Sequence, residues 1–297
     1  MEGWTVAVLS VDLAYSLWSH LGIVVLDRMP PQHSPNPLHS GTGLPLRLLS
    51  TGPNEPEPAQ TPISCEIIPS FAPGLDADLG PAPAGPVDAN LLAGRFNHLC
   101  GVRGIRVIML DGPQAWKSRS NGLEHARVSD RQLNRAAKTG LPGMVKPLTC
   151  RTFAEFCLDV YDALCRRGWR RLETSHQSGS LLDHSQERIL IESYPFAAWK
   201  SLGLKPLAPR RRAKVSDLAE GYAALRSLIP IATNRPPNHD QLQAIVGGLA
   251  GLALEERNSS AARIVGSPPR REDGHWREGF IVLPLPPVKP VEVRWLH

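Results

Sequence analysis

The sequence predicts an α/β protein built on a mixed sheet. Three observations carry this: apolar runs of strand length, capped helices with helical apolar spacing between them, and Gly or Pro where one gives way to the next. The runs "VAVLSV" and "GIVVLD" lie within Val6–Asp27 and read as two buried strands joined by the polar connection "AYSLWSH". The first ends at Asp12. A carboxylate at the edge of a core strand is costly to desolvate unless it is paired or holds a metal.

Beyond Asp27 the character changes. Fourteen of the 29 prolines fall between Pro30 and Pro86, a density that forbids long helices and central strands. "LPLRLLS" (Leu44–Ser50) and "ISCEIIP" (Ile63–Pro69) can still pair, one of them as a third strand. The rest of about 28–88 reads as a proline-rich insertion or long loop. Asp88 caps a helix with apolar Leu92, Phe96 and Leu99, ended by Gly101 or Gly104. "IRVIMLDGPQ" is a further buried strand that ends in Asp111 and is stopped by Gly112 and Pro113.

"TFAEFCLDVYDALCRRG" is a helix with Thr152 and Glu155 as a capping box and Gly168 at its end. "RILIESYP" is another strand, Arg188 to Pro195, carrying Glu192. "SDLAEGYAALRSLIP" is a helix capped by Ser216 and ended before Pro230. In the late helix "NHDQLQAIVGGLAGLALEER", Leu242, Ile245, Val246, Leu249 and Leu252 form an apolar face. Asp240, Ala244, Gly247 and Gly251 form a neighbouring small-residue stripe that lets the helix approach a sheet closely. "EGFIVLP" is the last strand candidate.

The chain has 297 residues, net charge +5 and an isoelectric point near 9.1, which tilts it mildly toward an anionic partner. Its five cysteines are odd in number and contain no CxxC pair, so they read as reduced thiols rather than a disulfide framework or zinc site. The N-terminus lacks a basic region, carries Glu2 and is interrupted by Asp12, unlike a signal peptide. No apolar stretch approaches the ~18 residues of a membrane helix. The expectation is a soluble, cytoplasmic, single-domain protein over 1–297 with no membrane partner. No sequence signal sets its oligomeric state. There is no Walker loop, GxGxxG, GxSxG or HExxH.

Asp12, Asp111, Glu192 and Asp240 stand out: three on or after strands, one in the first turn of a helix. Such positions can converge at the carboxyl edge of an open α/β sheet. Carboxylates gathered there repel one another, and the economical remedy is Mg²⁺ or Mn²⁺. Two such ions about 3.5–4 Å apart would activate a water for phosphodiester cleavage. Each acid also has a structural reading. Asp12 can cap the following loop, Asp111-Gly112 is an ordinary turn signal, and Asp240 suits its helix N-terminus. Glu192 is the hardest to explain that way, being uncommon in a buried strand.

The ordered pieces "SVDLAYS", "IRVIMLDGPQ", "ARVSDRQL", "ILIESYPFAAWKSLGL", "NHDQLQAIVGGLAGL" and "REGFIVLP" resemble the domain-of-unknown-function family 429, over about Val6 to Pro284. Members of that family are predicted nucleases with an RNase H-like fold. The resemblance implies a mixed five-stranded sheet that opens with a long hairpin and has helices on both faces. It implies Asp12, Asp111, Glu192 and Asp240 as the acidic cluster, and matches Arg127 and Asp130 to a further Arg and Asp of the family. The family's late helix carries Asp-x-x-Asp-Ala; here the second Asp is replaced by Gln243.

Basic residues cluster at Arg166, Arg167, Arg170 and Arg171, at Arg210, Arg211, Arg212 and Lys214, and at Arg270 and Arg271. The second group, with Arg127, is the candidate nucleic-acid contact; each cluster also reads as a solvated charged loop. His239, beside Asp240, is the one histidine placed to support the acids. The leading expectation is a metal-dependent nuclease. The alternative is a binding or scaffold protein that kept the fold and lost the chemistry. An actin-like or sugar-kinase phosphotransferase ranks behind both, because Leu13, Ala14 and Tyr15 follow Asp12 where those proteins use Gly with Ser or Thr.

Overall fold

A computed structural model describes residues 6–28, 61–68, 85–173 and 187–287. The candidate strand at Leu44–Ser50 and most of the proline-rich stretch lie outside the described residues. The N-terminal half contains β1 (Ala7–Asp12), β2 (Gly22–Arg28), β3 (Ile63–Ile67), α1 (Ala89–Arg103), β4 (Val107–Asp111), α2 (Val128–Gln132), β5 (Lys138–Thr139) and β6 (Val145–Lys146). Then follow α3 (Arg151–Cys165), β7 (Arg170–Arg171), β8 (Ile189–Ser193), α4 (Pro195–Ser201), α5 (Val215–Leu228), β9 (Ile231–Thr233), α6 (His239–Glu255), β10 (Ala262–Glu272) and β11 (His275–Pro284).

Among the described residues, one mixed sheet runs β10-β11-β8-β4-β1-β2-β3-β9, with β7 also on β8. The chain opens as a β1–β2 hairpin, and β3 continues it antiparallel. β4 returns parallel to β1, and β8 parallel to β4. Where five strands are expected, the sheet has nine among the described residues. β9 is only three residues long. β10 contains Pro268 and Pro269, which disguise it; the register shifts between Ser267 and Arg270, where the prolines cannot donate to the ladder.

Strand alternation divides the core in two. Ala7, Leu9 and Val11 face α1 and α3 with Ile108, Leu110 and Leu190. Val8, Met109 and Ile191 face α6, α4 and α5 on the other side. Helices on both faces follow, because each face of β1, β4 and β8 is apolar and must be covered.

The caps are partly as expected. Asp88 Oδ1 accepts from Leu91 N at 2.7 Å, and Gly104 ends α1 with φ 65°. Two caps differ. A 3-10 turn, Leu148–Cys150, leads straight into α3, so Thr152 lies inside its first turn and Glu155 pairs with Arg151 at 2.8 Å. Lys214, not Ser216, is the N-cap of α5; its amide donates to Asp217 Oδ2 at 2.9 Å.

The small-residue stripe of α6 does what its spacing predicts. A Cβ on Gly247 would lie 3.3 Å from Ser193 Cβ, and one on Gly251 would lie 2.9 Å from Val8 Cγ1; neighbouring Gly248, outside the stripe, sits against Ser10. Ser10 Oγ donates to Ala244 O at 2.7 Å, tying β1 to the helix. Gly22, the register partner of Asp12, has its Cα against the Asp240 carbonyl, where a Cβ would sit 2.2 Å from the oxygen. These contacts bring the start of α6 onto the end of β1. No described helix is long and apolar enough to cross a membrane.

Candidate metal centre

Asp12 and Asp111 end neighbouring parallel strands and are direct register partners. They continue the rows Val8-Ser10 and Val107-Met109, which face α6. Their carboxyl groups lie close enough to act on each other's ionisation. Burial, then the Asp111 and Asp240 charges, raise Asp12 well above the usual carboxylate range. Burial also raises Asp111, to about 6, against the opposing pull of the Arg135 guanidinium. A half-buried carboxyl pair of this kind resists full ionisation when no cation is present.

Asp240 meets this pair from the first turn of α6. Single donor atoms of Asp12, His239 and Asp240 all lie within 4.8 Å of one another. His239 Nδ1 is 3.1 Å from Asp240 Oδ1, and its Nε2 is 3.0 Å from Ala208 O. Arg210 Nη1 lies 3.2 Å from Asp240 Oδ2. The loop carrying Ala208 and Arg210 is thus fastened to the start of α6 at two points.

Glu192 does not join the cluster. In β8, Ile189 and Ile191 face α6, so Leu190 and Glu192 point to the other face. Ser193, not Glu192, is in register with Asp111. The Glu192 side chain is fully buried, and both its oxygens are occupied. Arg127 holds them with a two-pronged contact at 2.6 and 2.8 Å, Arg135 Nη1 adds 2.7 Å, and Gln114 N donates at 3.0 Å. Its charge still reaches Asp111 and helps raise it.

Arg127 is correspondingly unavailable to a nucleic-acid strand. Its guanidinium has no exposed surface and spans Glu192 and Asp130. Burial opposes its charge, but the two carboxylates outweigh burial and raise it well above the ordinary arginine value. Burial would raise Asp130 too, yet Arg127 and Arg135 hold it below its usual value. Glu278, buried and at φ 61°, organises the approach to this network by accepting from Ser118 N, Asn121 Nδ2 and Val128 N at 2.6–2.8 Å.

Arg135 carries no sequence signal, yet it links the two acid groups. It stacks on Tyr194 at 4.5 Å, pairs with Glu192 and lies 3.8 Å from Asp111. Of the basic loop, Arg210 is at the acids, while Arg211, Arg212 and Lys214 are exposed. The other basic clusters are partly committed elsewhere. Arg171 is buried against Asp162 and Trp276, and Arg270 pairs with Glu272. Gln243 Oε1 accepts from Trp199 Nε1 at 2.9 Å.

As a donor set, Asp12, Asp240 and His239 fit a divalent cation, with the Asp111 carboxyl beside them. The four-carboxylate set with Glu192 does not, because the Glu192 oxygens are already neutralised by two guanidiniums. No protein-family model, curated protein or solved structure matches the chain.

Proposed function

We propose that this chain is a divalent-cation-dependent phosphodiester hydrolase, a nuclease, with an RNase H-like core and kinship to the domain-of-unknown-function family 429. The observation that carries the reading is the side-by-side pair Asp12 and Asp111 facing Asp240 across the end of β1. Support for the fold comes from the opening hairpin, the parallel return of β4 and β8, and helices on both faces. A bound Mg²⁺ or Mn²⁺ would supply charge neutralisation at the phosphate and a more acidic water. Asp12 and Asp240 hold the cation, and Asp111 stands beside them as a proton acceptor once ionised. Arg210, with exposed Arg211, Arg212 and Lys214, holds the phosphate backbone at the mouth of the site.

The test is cleavage of single- and double-stranded DNA and RNA with Mn²⁺ or Mg²⁺ by the parent, Asp12→Asn and Asp111→Asn. The expected result is cleavage by the parent and loss in both variants. Equal cleavage by all three ends the reading.

A second reading, an inactive RNase H-fold binding protein, is favoured by one observation: Gln243 stands where the resembled family has Asp, and its oxygen is engaged by Trp199. It predicts nucleic-acid binding that Asp12→Asn leaves unchanged and no cation-dependent rise in melting temperature.

A further inference from the structure

Resting on the metal-site reading above, we propose that His239 is itself a ligand of the cation, through Nδ1, and that the site therefore selects Mn²⁺ over Mg²⁺. The argument begins with Ala208. A backbone carbonyl can only accept, so the ring nitrogen 3.0 Å from it, Nε2, carries the proton. That leaves Nδ1 as the ring's one donor atom for a metal. Nδ1 is aimed at Asp240 Oδ1, 3.1 Å away, and belongs to the group of donors with Asp12 inside 4.8 Å.

The Ala208 bond comes from a loop outside the cluster, and it fixes the ring's tautomer and orientation. Metal-ligating histidines are held in this way, their second nitrogen donating to a carbonyl or carboxylate. The ring is also mostly enclosed, with a side chain 14% exposed, so its direction is set by packing rather than by solvent. Gly22 completes the fit: with no Cβ, it admits the backbone of Asp240, and His239 immediately before it is carried to the same edge.

The donor set is then one imidazole nitrogen and two carboxylates. Mg²⁺ prefers an all-oxygen octahedron and gives up its waters reluctantly, whereas imidazole suits a transition-metal ion. His239 is thus the residue that sets which ion the site takes. Without it, Asp12 and Asp240 alone would be an ordinary Mg²⁺-type pair.

The experiment is pulsed electron paramagnetic resonance on the full chain with Mn²⁺ alone. Two preparations are compared, one with ordinary histidine and one with histidine carrying the heavy nitrogen isotope, so the fold is untouched. The expected result is a modulation from directly bound nitrogen that changes with the isotope and disappears in His239→Ala. Mn²⁺ affinity in that variant should fall by at least about tenfold, and the parent's preference for Mn²⁺ over Mg²⁺ should shrink. Bound Mn²⁺ with no nitrogen modulation, or a modulation that survives His239→Ala, overturns the assignment and leaves the metal site standing. No Mn²⁺ binding at millimolar concentration overturns both.

Discussion

Asp12 and Asp111 lie opposite each other in register at the ends of two parallel strands, and burial raises both carboxyl groups. Ionising either one costs the folded state, so the metal-free pair is stabilised by acid. The raised folded value of Asp111, about 6 against 3.8, sets the sign. Its contribution is fully present below the unfolded value and is lost as pH rises through the folded one.

The first prediction concerns this pair. Between about pH 4 and pH 6, metal-free protein should lose about 3 kcal/mol at most from this source. Asp111→Asn should remove that part of the slope. Chemical denaturation of both proteins across the range checks it; parallel stability curves would show that Asp111 does not titrate in this way.

Cation binding should show the opposite dependence. A cation takes the ionised carboxylates, so it competes with their protons. The rise in melting temperature produced by Mn²⁺ should grow as pH passes through about 6, the Asp111 value, and that step should be lost in Asp111→Asn. Thermal unfolding at fixed Mn²⁺ on either side of that pH measures it. A Mn²⁺ effect that does not change with pH would count against the carboxylates as ligands.

Glu192→Gln separates a structural anchor from a metal ligand. The substitution leaves the two buried guanidiniums of Arg127 and Arg135 with Asp130 as the one buried carboxylate between them. Breaking such a pair costs roughly 3–5 kcal/mol, or about 10 °C in a domain of this size. The loss should appear without any metal, and the Mn²⁺-induced rise should survive. An unchanged metal-free melting temperature with a lost Mn²⁺ response would restore Glu192 to the metal's ligand set.

Gly22→Ala tests the approach of α6. The added Cβ would meet the Asp240 carbonyl at 2.2 Å, and backbone cannot rotate away as a side chain can. The expected cost is about 1–3 kcal/mol, accompanied by a weaker Mn²⁺ response because Asp240 is pushed from Asp12. Calorimetry with and without Mn²⁺ reads both.

The thiols give a prediction free of the site. Cys65, Cys100 and Cys157 are buried, and burial raises each thiol, Cys65 to about 12. In native protein these three should resist a thiol reagent while Cys150 and Cys165, both partly accessible, react. Counting thiols before and after denaturation, with mapping of the labelled positions, decides the matter.

Much of this arrangement is legible in the sequence. β1, β2, β4 and β8 are continuous apolar runs because both their faces are covered, and the stripe on α6 announces a close approach to the sheet. Asp12, Asp111 and Asp240 follow from those elements. Glu192 is the instructive exception. The alternation in "ILIES" puts it on the face opposite Ile189 and Ile191, whereas its place near a strand end groups it with the other acids. Its partners could not be read, because Arg127 and Arg135 reach it through a loop whose path depends on Glu278. β10 was hidden by its own prolines. Arg135 and Gly22 owe their importance to neighbours distant in the chain.

The bond from Ser10 to Ala244 spans 234 residues. A chain still being synthesised has Asp12 and Asp111 long before it has α6. Until the helix packs, the third acid, His239 and the face of the sheet that α6 covers are all missing together. The donor atoms of Asp12, His239 and Asp240 therefore come together only when α6 is in place. Any fragment ending before His239 has the strand carboxyls but nothing from α6 to complete the proposed cation site, so cation binding would double as a check that the chain has been made through α6.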